Sequence, residues 1–231
     1  MTLYNDFQQV IGFPINDWQP RPRPGRDTII GQYCQLEALD ATQHGTDLYQ
    51  EFGAACDCAD WTYLPYGPFS SGDEFVTWLQ GLSQGVDPLF YAIVDKATGK
   101  AVGMASYLRI DPVNGAIEVG HIHFSRRLQK TPLATEAMYL MMKQIFDLGY
   151  RRYEWKCDAY NEPSCKAAKR LGFIYEGLFR QAVIYKNRNR DTAWFAIVDQ
   201  DWPALQSRFE IWLEGDNFDD QGMQVRRLED C

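Results

Sequence analysis

Residues 129–137, Gln-Lys-Thr-Pro-Leu-Ala-Thr-Glu-Ala, have the composition and the position of an anion-binding turn. They follow an apolar run at 117–124 that is typical of a strand, and they precede a long amphipathic run that ends at Gly149. The first N–H groups of a helix have no partner within the helix, and the helix dipole attracts negative charge. A pyrophosphate, as in a nucleotide-like cofactor, is therefore the expected occupant. Thr131 is predicted to cap this helix, with Pro132 in its first position.

A second helix is predicted over 162–171. The polar residue Asn161 precedes it, Ser164 lies in its first turn, and the helix runs into Leu-Gly-Phe at 171–173. The anion-binding turn followed by this helix resembles the GCN5-related N-acetyltransferase (GNAT) superfamily. In that superfamily the acetyl-CoA loop reads Gln/Arg-x-x-Gly-x-Gly/Ala, and the next helix runs from an Asn to a Leu-Gly-Phe. The resemblance covers roughly residues 31–198.

Within the first motif, Gln129 and Ala134 match the two ends of the family pattern. The run from Ala134 to Ala137 resembles the helix start of the ribosomal-protein alanine acetyltransferase-like branch. The chain departs from the pattern at Pro132, which stands where the family has Gly and which lacks an N–H donor. The cofactor-binding residues that the resemblance implies are Phe124, Gln129, Lys130, Thr131, Leu133, Ala134, Thr135, Asn161 and Ser164.

The resemblance implies an α/β (α+β) fold with one GNAT-like domain. Its central mixed sheet is expected to be mostly antiparallel, with helices on both faces. The fourth and fifth strands, predicted at 117–124 and 153–159, are expected to splay apart where acetyl-CoA enters. Acetyl-CoA is the implied co-substrate, and the chemistry of acetyl transfer requires no metal.

The leaving thiolate needs a proton or a hydrogen bond. Many family members carry a Tyr four residues after the position of Ser164, but this chain has Ala168 there. Ser164 is then the best local hydroxyl for the role of acid. The alternative is that Ser164 serves only as a helix cap.

The central strand offers two candidate bases, Glu118 and His121. Burial of Glu118 in an apolar strand would raise its pKa, whereas His121 titrates closer to neutrality. Regular alternation puts Glu118, Gly120, Ile122 and Phe124 on one face, and Val119, His121 and His123 on the other. His121 and His123 could also form a metal pair, but the sequence presents no third ligand.

Other residues give weaker indications of a role in binding or catalysis. Five cations could pair with CoA phosphates: Arg126, Arg127, Lys130, Lys166 and Lys169. The aromatic segment 61–69 and Trp18 are expected to shape the acceptor pocket. Cys157 and Cys165 could suggest a thiol that carries the acetyl group, but they lack an obvious activating base and are interpreted as core.

Composition narrows the class of protein. The chain has 231 residues, 45% of them hydrophobic, and a net charge of −8, which argues against a general nucleic-acid binder. No apolar run reaches the ~20 residues of a membrane span, and residues 1–6 do not predict a signal peptide. Six irregularly spaced cysteines are interpreted as reduced thiols in a cytoplasmic protein.

The predicted organisation has three parts. Residues 1–28 are Pro-rich and form an extended arm anchored by Trp18, residues 29–216 form the acetyltransferase domain, and residues 217–231 form a tail. A charged turn is predicted at 186–191, before a last strand.

The resulting hypothesis is an acetyl-CoA-dependent N-acetyltransferase. It moves an acetyl group directly to a primary amine of a small molecule or a protein N-terminus. One alternative is a non-catalytic acyl-CoA-binding sensor or regulator, and another is an interaction domain that uses the Pro-rich arm. A homodimer is one of the oligomeric states that the sequence leaves open.

Overall fold

The computed structural model describes residues 2–54, 58–219 and 221–231. The helices in the described residues are α1 (Ala41–Tyr49), α2 (Gly72–Ser83), α3 (Pro132–Asp147), α4 (Glu162–Arg170) and α5 (Trp202–Leu213). The strands are β1 (Leu3–Tyr4), β2 (Val10–Ile11), β3 (Ile29–Ile30), β4 (Cys34–Ala38), β5 (Leu89–Asp95), β6 (Lys100–Asp111), β7 (Ala116–Phe124), β8 (Arg152–Asp158), β9 (Ile174–Tyr185) and β10 (Arg188–Val198).

Eight strands form one sheet in the order β3-β4-β5-β6-β7-β8-β10-β9, and β1 pairs with β2 in a separate hairpin. Neighbours in the large sheet run antiparallel apart from β7 and β8, which are parallel. Side chains of β5 alternate between two apolar clusters, as the strand period requires. Leu89, Tyr91 and Ile93 join residues of α3 and α5, and Phe90, Ala92 and Val94 join residues of α1 and α2. The expected mixed, mostly antiparallel sheet with helices on both faces is confirmed.

The strands β7 and β8 separate along their length. They pair only from Ala116 with Arg152 to Val119 with Trp155, although each strand continues beyond that point. Gly120–Phe124 and Lys156–Asp158 therefore line an opening, here called the cleft. The predicted splay between these two strands is confirmed.

The helix α3 begins and ends as its residues predict. The hydroxyl of Thr131 accepts a hydrogen bond from the N–H of Ala134 at 3.2 Å, and Pro132 takes the first position. Gly149 follows the helix with φ +83°, a left-handed conformation that glycine adopts without a Cβ clash.

The connection between β9 and β10 is shorter than predicted. The chain reverses at Lys186 and Asn187, whose φ values of 47° and 58° suit a tight hairpin turn. Residues 188–191 consequently belong to β10. The prediction of a charged turn through 191 is therefore wrong, and Arg190 becomes a strand residue with a defined face.

Trp18 anchors the N-terminal segment, as predicted. Its indole N–H donates to the carbonyl of Val113 at 2.7 Å, and its ring lies against Gly115 in the turn between β6 and β7. This turn precedes β7, at the closed end of the cleft. The expectation that Trp18 shapes the acceptor pocket is therefore wrong. Among the described residues no helix is long and apolar enough to cross a membrane.

Candidate active site

The backbone edges that line the cleft are free to bind an extended ligand. Beyond Val119 and Trp155, the facing edges of β7 and β8 no longer pair with each other. Backbone N–H and C=O groups almost always find partners in native structures. An extended chain with amide groups can supply those partners by lying between the two strands.

The turn before α3 lies where β7 ends. Within the described part of the chain, the backbone N–H groups of Lys130, Thr131 and Leu133 have no hydrogen-bond acceptor. Lys130 has a φ of 61°, which turns the chain before the helix. These donors, next to the positive end of the α3 dipole, suit a phosphate group. Pro132 removes one N–H group but leaves this set intact.

Three of the predicted cofactor-binding residues are partly engaged within the protein. The side chain of Gln129 donates to the carbonyl of Phe124 at 2.9 Å, and its N–H bonds to Ser125. The N–H of Ala134 is used by the cap. Thr135 is buried, its hydroxyl accepts from Arg170 at 3.1 Å, and its N–H bonds to Thr131. The expectation that Thr135 contacts the cofactor is therefore not supported by its surroundings.

Four of the five cations expected near the CoA phosphates divide into two groups. Arg127 is 3.4 Å from Glu51 and 3.3 Å from Asp95, and Lys166 pairs with its helix neighbour Glu162 at 2.8 Å. Lys130 and Lys169 are exposed and form no ion pair with other described residues. The second group is the better source of phosphate contacts.

On the other wall of the cleft, Asn161 and Ser164 lie in the first turn of α4. The side chain of Asn161 caps the helix by accepting from the N–H of Ser164 at 3.2 Å. The hydroxyl oxygen of Ser164 accepts from the indole N–H of Trp155 at 3.0 Å. Trp155 is the last residue of β8 that pairs with β7, so Ser164 lies near the base of the cleft.

Glu118 lies next to the point where the strands separate, and it is 6% exposed. Its carboxylate is 2.9 Å from the ammonium group of Lys156 and 3.5 Å from the guanidinium group of Arg109. Burial raises the pKa of Glu118 above its ordinary value, while Lys156 and Arg109 lower it. Because Lys156 also pairs with Glu154, its ammonium group keeps an anionic partner when Glu118 takes up a proton.

Sequence reasoning missed Lys156. Its ammonium group is 2.6 Å from Glu154 as well as close to Glu118, and it lies 3.7 Å from the centre of the Trp194 ring. The parallel register places Glu118 opposite Glu154, so Lys156 is one alternation step farther along β8 on the same face. No local pattern in the sequence signals this pairing.

A bulge in β7 changes which side chains share a face. Gly120 pairs with Ser106 and His123 pairs with Met104, so two residues of β7 oppose one of β6, and His121 has a φ of 51°. The predicted alternation is therefore wrong beyond Gly120. Ile122 and Phe124 join the cluster of α3 and α5, whereas His121 and His123 face the side of α1 and α2, as Glu118 does.

The two histidines have different surroundings. Nδ1 of His121 is 3.1 Å from the hydroxyl of Tyr66, whereas His123 stacks on Phe52 with ring centres 3.8 Å apart. Burial lowers the pKa of His121 to about 4, aided by the charge of Arg190, and lowers the pKa of His123 to about 3. Both rings are neutral at pH 7. In the described ranges no group of three His, Cys, Asp or Glu side chains could hold a metal ion.

The aromatic segment extends across the acceptor side of the cleft. Trp61 is buried against Phe69 and Trp78, and its carbonyl accepts from Lys186 at 2.7 Å. The hydroxyl of Tyr63 donates to the carbonyl of Tyr160, just after β8, at 3.0 Å. The segment is thus tied to the β9–β10 turn and to the β8–α4 loop, and it covers this side of the cleft.

The cysteines near the cleft are thiols. The sulfur atoms of Cys157 and Cys165 are 3.5 Å apart. Burial raises the pKa of Cys157 to about 12, so this group is protonated at pH 7. Cys34, Cys58, Cys157, Cys165 and Cys231 are free, and Cys56 lies outside the described residues.

Comparisons with known proteins agree with this architecture. Residues 40–174 match the acetyltransferase (GNAT) domain model. A solved GCN5-related N-acetyltransferase from Brucella melitensis is 45% identical, superimposes with a TM-score of 0.91, and covers 93% of this chain and 98% of its own.

Two curated relatives are more distant. The uncharacterized N-acetyltransferase p20 of Bacillus licheniformis is 27% identical over 60% of this chain and 78% of its own length. The ribosomal-protein-serine acetyltransferase of Escherichia coli is 30% identical over 42% of this chain and 55% of its own, which agrees with the expected ribosomal-protein acetyltransferase-like branch. The chain belongs to the GNAT family of acetyltransferases.

Proposed function

We propose that this acetyltransferase moves the acetyl group of acetyl-CoA directly to a primary amine of a small molecule or a protein N-terminus. The observation that carries the proposal is the cleft between β7 and β8. At its mouth lie backbone N–H groups that have no acceptor among the described residues, and near its base lies the ion-paired carboxylate of Glu118. The N–H groups of Lys130, Thr131 and Leu133 would hold the pyrophosphate, and the open strand edges would hold the pantetheine amides.

Glu118 is the base in this proposal. An amine is mostly protonated at pH 7, and its nitrogen can attack only after losing that proton. The carboxylate of Glu118 accepts the proton, and its burial favours the uncharged product. Lys156 and Arg109 hold the carboxylate in place. His121 is the second candidate base, but a ring with a pKa of about 4 is a weak one.

Two further groups complete the reaction. Backbone N–H groups of β7 beyond Val119 can donate to the oxygen that becomes negative when the amine attacks. The new C–N bond forms and the attacking nitrogen gives up its second proton. The C–S bond breaks, and the O–H group of Ser164 can pass that proton to the leaving thiolate. The amide product and the CoA thiol then leave the cleft.

Direct transfer is favoured over a covalent thiol intermediate. An acetyl-carrying cysteine would have to react as a thiolate. Cys157 has its pKa raised to about 12, and its neighbour Cys165 supplies no base.

Acetyl-CoA binding and turnover test the proposal separately. Saturating acetyl-CoA should raise the melting temperature, because a ligand at a hundredfold excess over its Kd stabilises the folded state by about 2.7 kcal/mol. Thiol release in the presence of an amine panel should then exceed release without amines. Stabilisation without turnover would favour the acyl-CoA sensor, and no effect of acetyl-CoA would remove the proposed site.

The remaining parts of the proposal concern the cellular compartment, the binding partners and the oligomeric state. We place the reaction in the cytoplasm, which suits the irregular cysteine spacing. Because the net charge is −8, we propose no nucleic acid partner.

We also propose a homodimer through β9, a sheet edge with exposed apolar side chains. The exposed apolar side chains of β9 are those of Ile174, Tyr175, Leu178, Phe179, Val183 and Ile184. Light scattering should give twice the monomer mass for the wild type and the monomer mass for Ile184→Lys.

A further inference from the structure

Arg190 lies on the face of the sheet that carries the candidate base. It is two residues from Thr192 and four from Trp194 along β10. The pairing with β9 is irregular between Arg190 and Thr192, but the extra residues lie on β9, between Phe179 and Val183, so alternation along β10 directs all three side chains to one side. Trp194 packs under the ammonium group of Lys156, which pairs with Glu118. Arg190 therefore shares a face with Glu118, farther toward the open end of the cleft.

Arg190 differs from three neighbouring cations because, among the described residues, its guanidinium group has no hydrogen-bond acceptor. Lys156 pairs with Glu118, Lys186 donates to Trp61, and Arg188 donates to the carbonyl of Thr62 at 3.0 Å. Arg190 forms no ion pair or hydrogen bond through its side chain with any described residue, and its Nε is shielded from solvent. A buried donor without a partner is unfavourable, and more so in a charged group, so a ligand that accepts from it is favoured.

Arg190 lies beside Tyr185, near the open end of the cleft. The central carbon of its guanidinium group lies 5.9 Å from the centre of the Tyr185 ring, and the Tyr185 hydroxyl donates to the buried carboxylate of Asp158 at 2.7 Å. The positive charge acts on His121 of β7 and on Cys157 of β8, which stand on the two sides of the cleft.

We infer that Arg190 binds a carboxylate of the acceptor, and that the acceptors are small amines that carry a carboxylate several bonds away from the amine, with free amino acids that bear a side-chain amine as the leading class. The planar guanidinium group matches a carboxylate with two parallel hydrogen bonds. In this arrangement Arg190 holds the acid group at the open end of the cleft, and the amine extends along the cleft toward Glu118, which the register places level with Ala196 of β10. The phosphates of acetyl-CoA belong to the turn before α3, in the opposite layer of the protein, so they do not compete for Arg190.

The cover of the cleft favours a small acceptor over a folded protein. The aromatic segment is tied to Tyr160 on one side and to Lys186 and Arg188 on the other. These contacts close one side of the cleft, which restricts the access of a large acceptor. The inference rests on the proposed function, and it narrows the class of acceptors that the proposed function allows.

Matched pairs of free L-amino acids and their amides test this inference, with acetyl-CoA as donor and thiol release as the readout. The variants are Arg190→Gln and Arg180→Gln, the latter removing an exposed arginine of the same hairpin. The wild type should prefer the acids. Arg190→Gln should lower kcat/KM at least tenfold for the acids and leave the amides unchanged, while Arg180→Gln should behave like the wild type.

Several results would overturn the inference. A wild type that uses acids and amides equally well, or an Arg190→Gln variant that loses both equally, would show that Arg190 does not recognise a carboxylate. Absence of turnover with every amino acid, in protein that acetyl-CoA stabilises, would also overturn it and would leave the proposed acetyl-CoA site standing. Absence of stabilisation by acetyl-CoA would instead contradict the proposed function.

Discussion

The indole N–H of Trp155 donates to the hydroxyl oxygen of Ser164 at 3.0 Å, and this bond determines how the serine can act. An indole nitrogen is a donor only, so Ser164 must be the acceptor of this bond and keeps its own O–H to donate elsewhere. The helix cap is Asn161, which leaves Ser164 without a capping role. The hydroxyl hydrogen is therefore left to donate, either to the neighbouring sulfur of Cys157 or to a thiolate in the cleft.

Replacement of Ser164 by Ala should lower kcat by about 10- to 100-fold and leave the KM for acetyl-CoA nearly unchanged, as expected for a contact that matters mainly in the transition state. Stability should fall by about 1 kcal/mol, because the Trp155 N–H loses its acceptor. Steady-state kinetics and denaturant unfolding measure the two effects. Ser207→Ala, which removes a surface hydroxyl of α5, is the matched control. Lost stability with intact turnover would limit Ser164 to a structural role.

Replacement of Glu118 by Gln should lower turnover by about 10²- to 10⁴-fold with little effect on acetyl-CoA affinity, because the base is lost and Lys156 keeps Glu154 as its partner. Glu154→Gln is the matched control, since it also removes a carboxylate from Lys156 but leaves the base. An equal loss in both variants would assign the effect to the position of Lys156. Normal turnover of Glu118→Gln across the pH range would direct attention to His121.

Stability should decrease as the pH falls from about 6.5 toward 4, because the unfolded chain protonates histidines that the fold keeps neutral. The folded pKa values are about 4 for His121 and about 3 for His123, both below the unfolded value. The stabilising contribution is thus complete above pH 6.5 and is lost as the pH falls toward the folded values. Each histidine contributes a slope of up to about 1.4 kcal/mol per pH unit.

The variant His123→Phe isolates one of these two contributions, because a phenyl ring can keep the stack on Phe52. Its free energy of unfolding should depend less steeply on pH than that of the wild type, by about one proton between pH 6 and 4.5. Equilibrium unfolding in denaturant at a series of pH values gives both curves. Identical slopes would show that His123 titrates normally in the folded protein.

Local patterns in the sequence were sufficient to predict the frame of the site. Thr131, Pro132 and Gly149 mark the ends of α3 through backbone chemistry that acts over a few residues, and each has its predicted position. The separation of β7 and β8 was predicted from the resemblance to the GNAT superfamily, since no single motif encodes the separation of two strands.

The parts that were missed depend on contacts between distant segments. Lys156 meets Glu118 only because β7 and β8 align in parallel, and Arg190 faces the cleft only because the hairpin turns within two residues. The bulge at His121 changed the alternation that a regular strand predicts. Gly120, inside an apolar strand, was the one available signal of such an irregularity.

Glu136 should prove to be a major determinant of stability. From α3 its buried carboxylate accepts from the N–H groups of Gln32 at 2.6 Å and of Tyr33 and Cys34 at 2.7 Å each, so it fixes the turn between β3 and β4. In Glu136→Gln one acceptor oxygen becomes a donor that faces other donors. The free energy of unfolding should fall by about 2–4 kcal/mol, measured by denaturant unfolding. Glu162→Gln, which breaks only an exposed pair with Lys166, should change it little, and equal midpoints for both variants would contradict this role of Glu136.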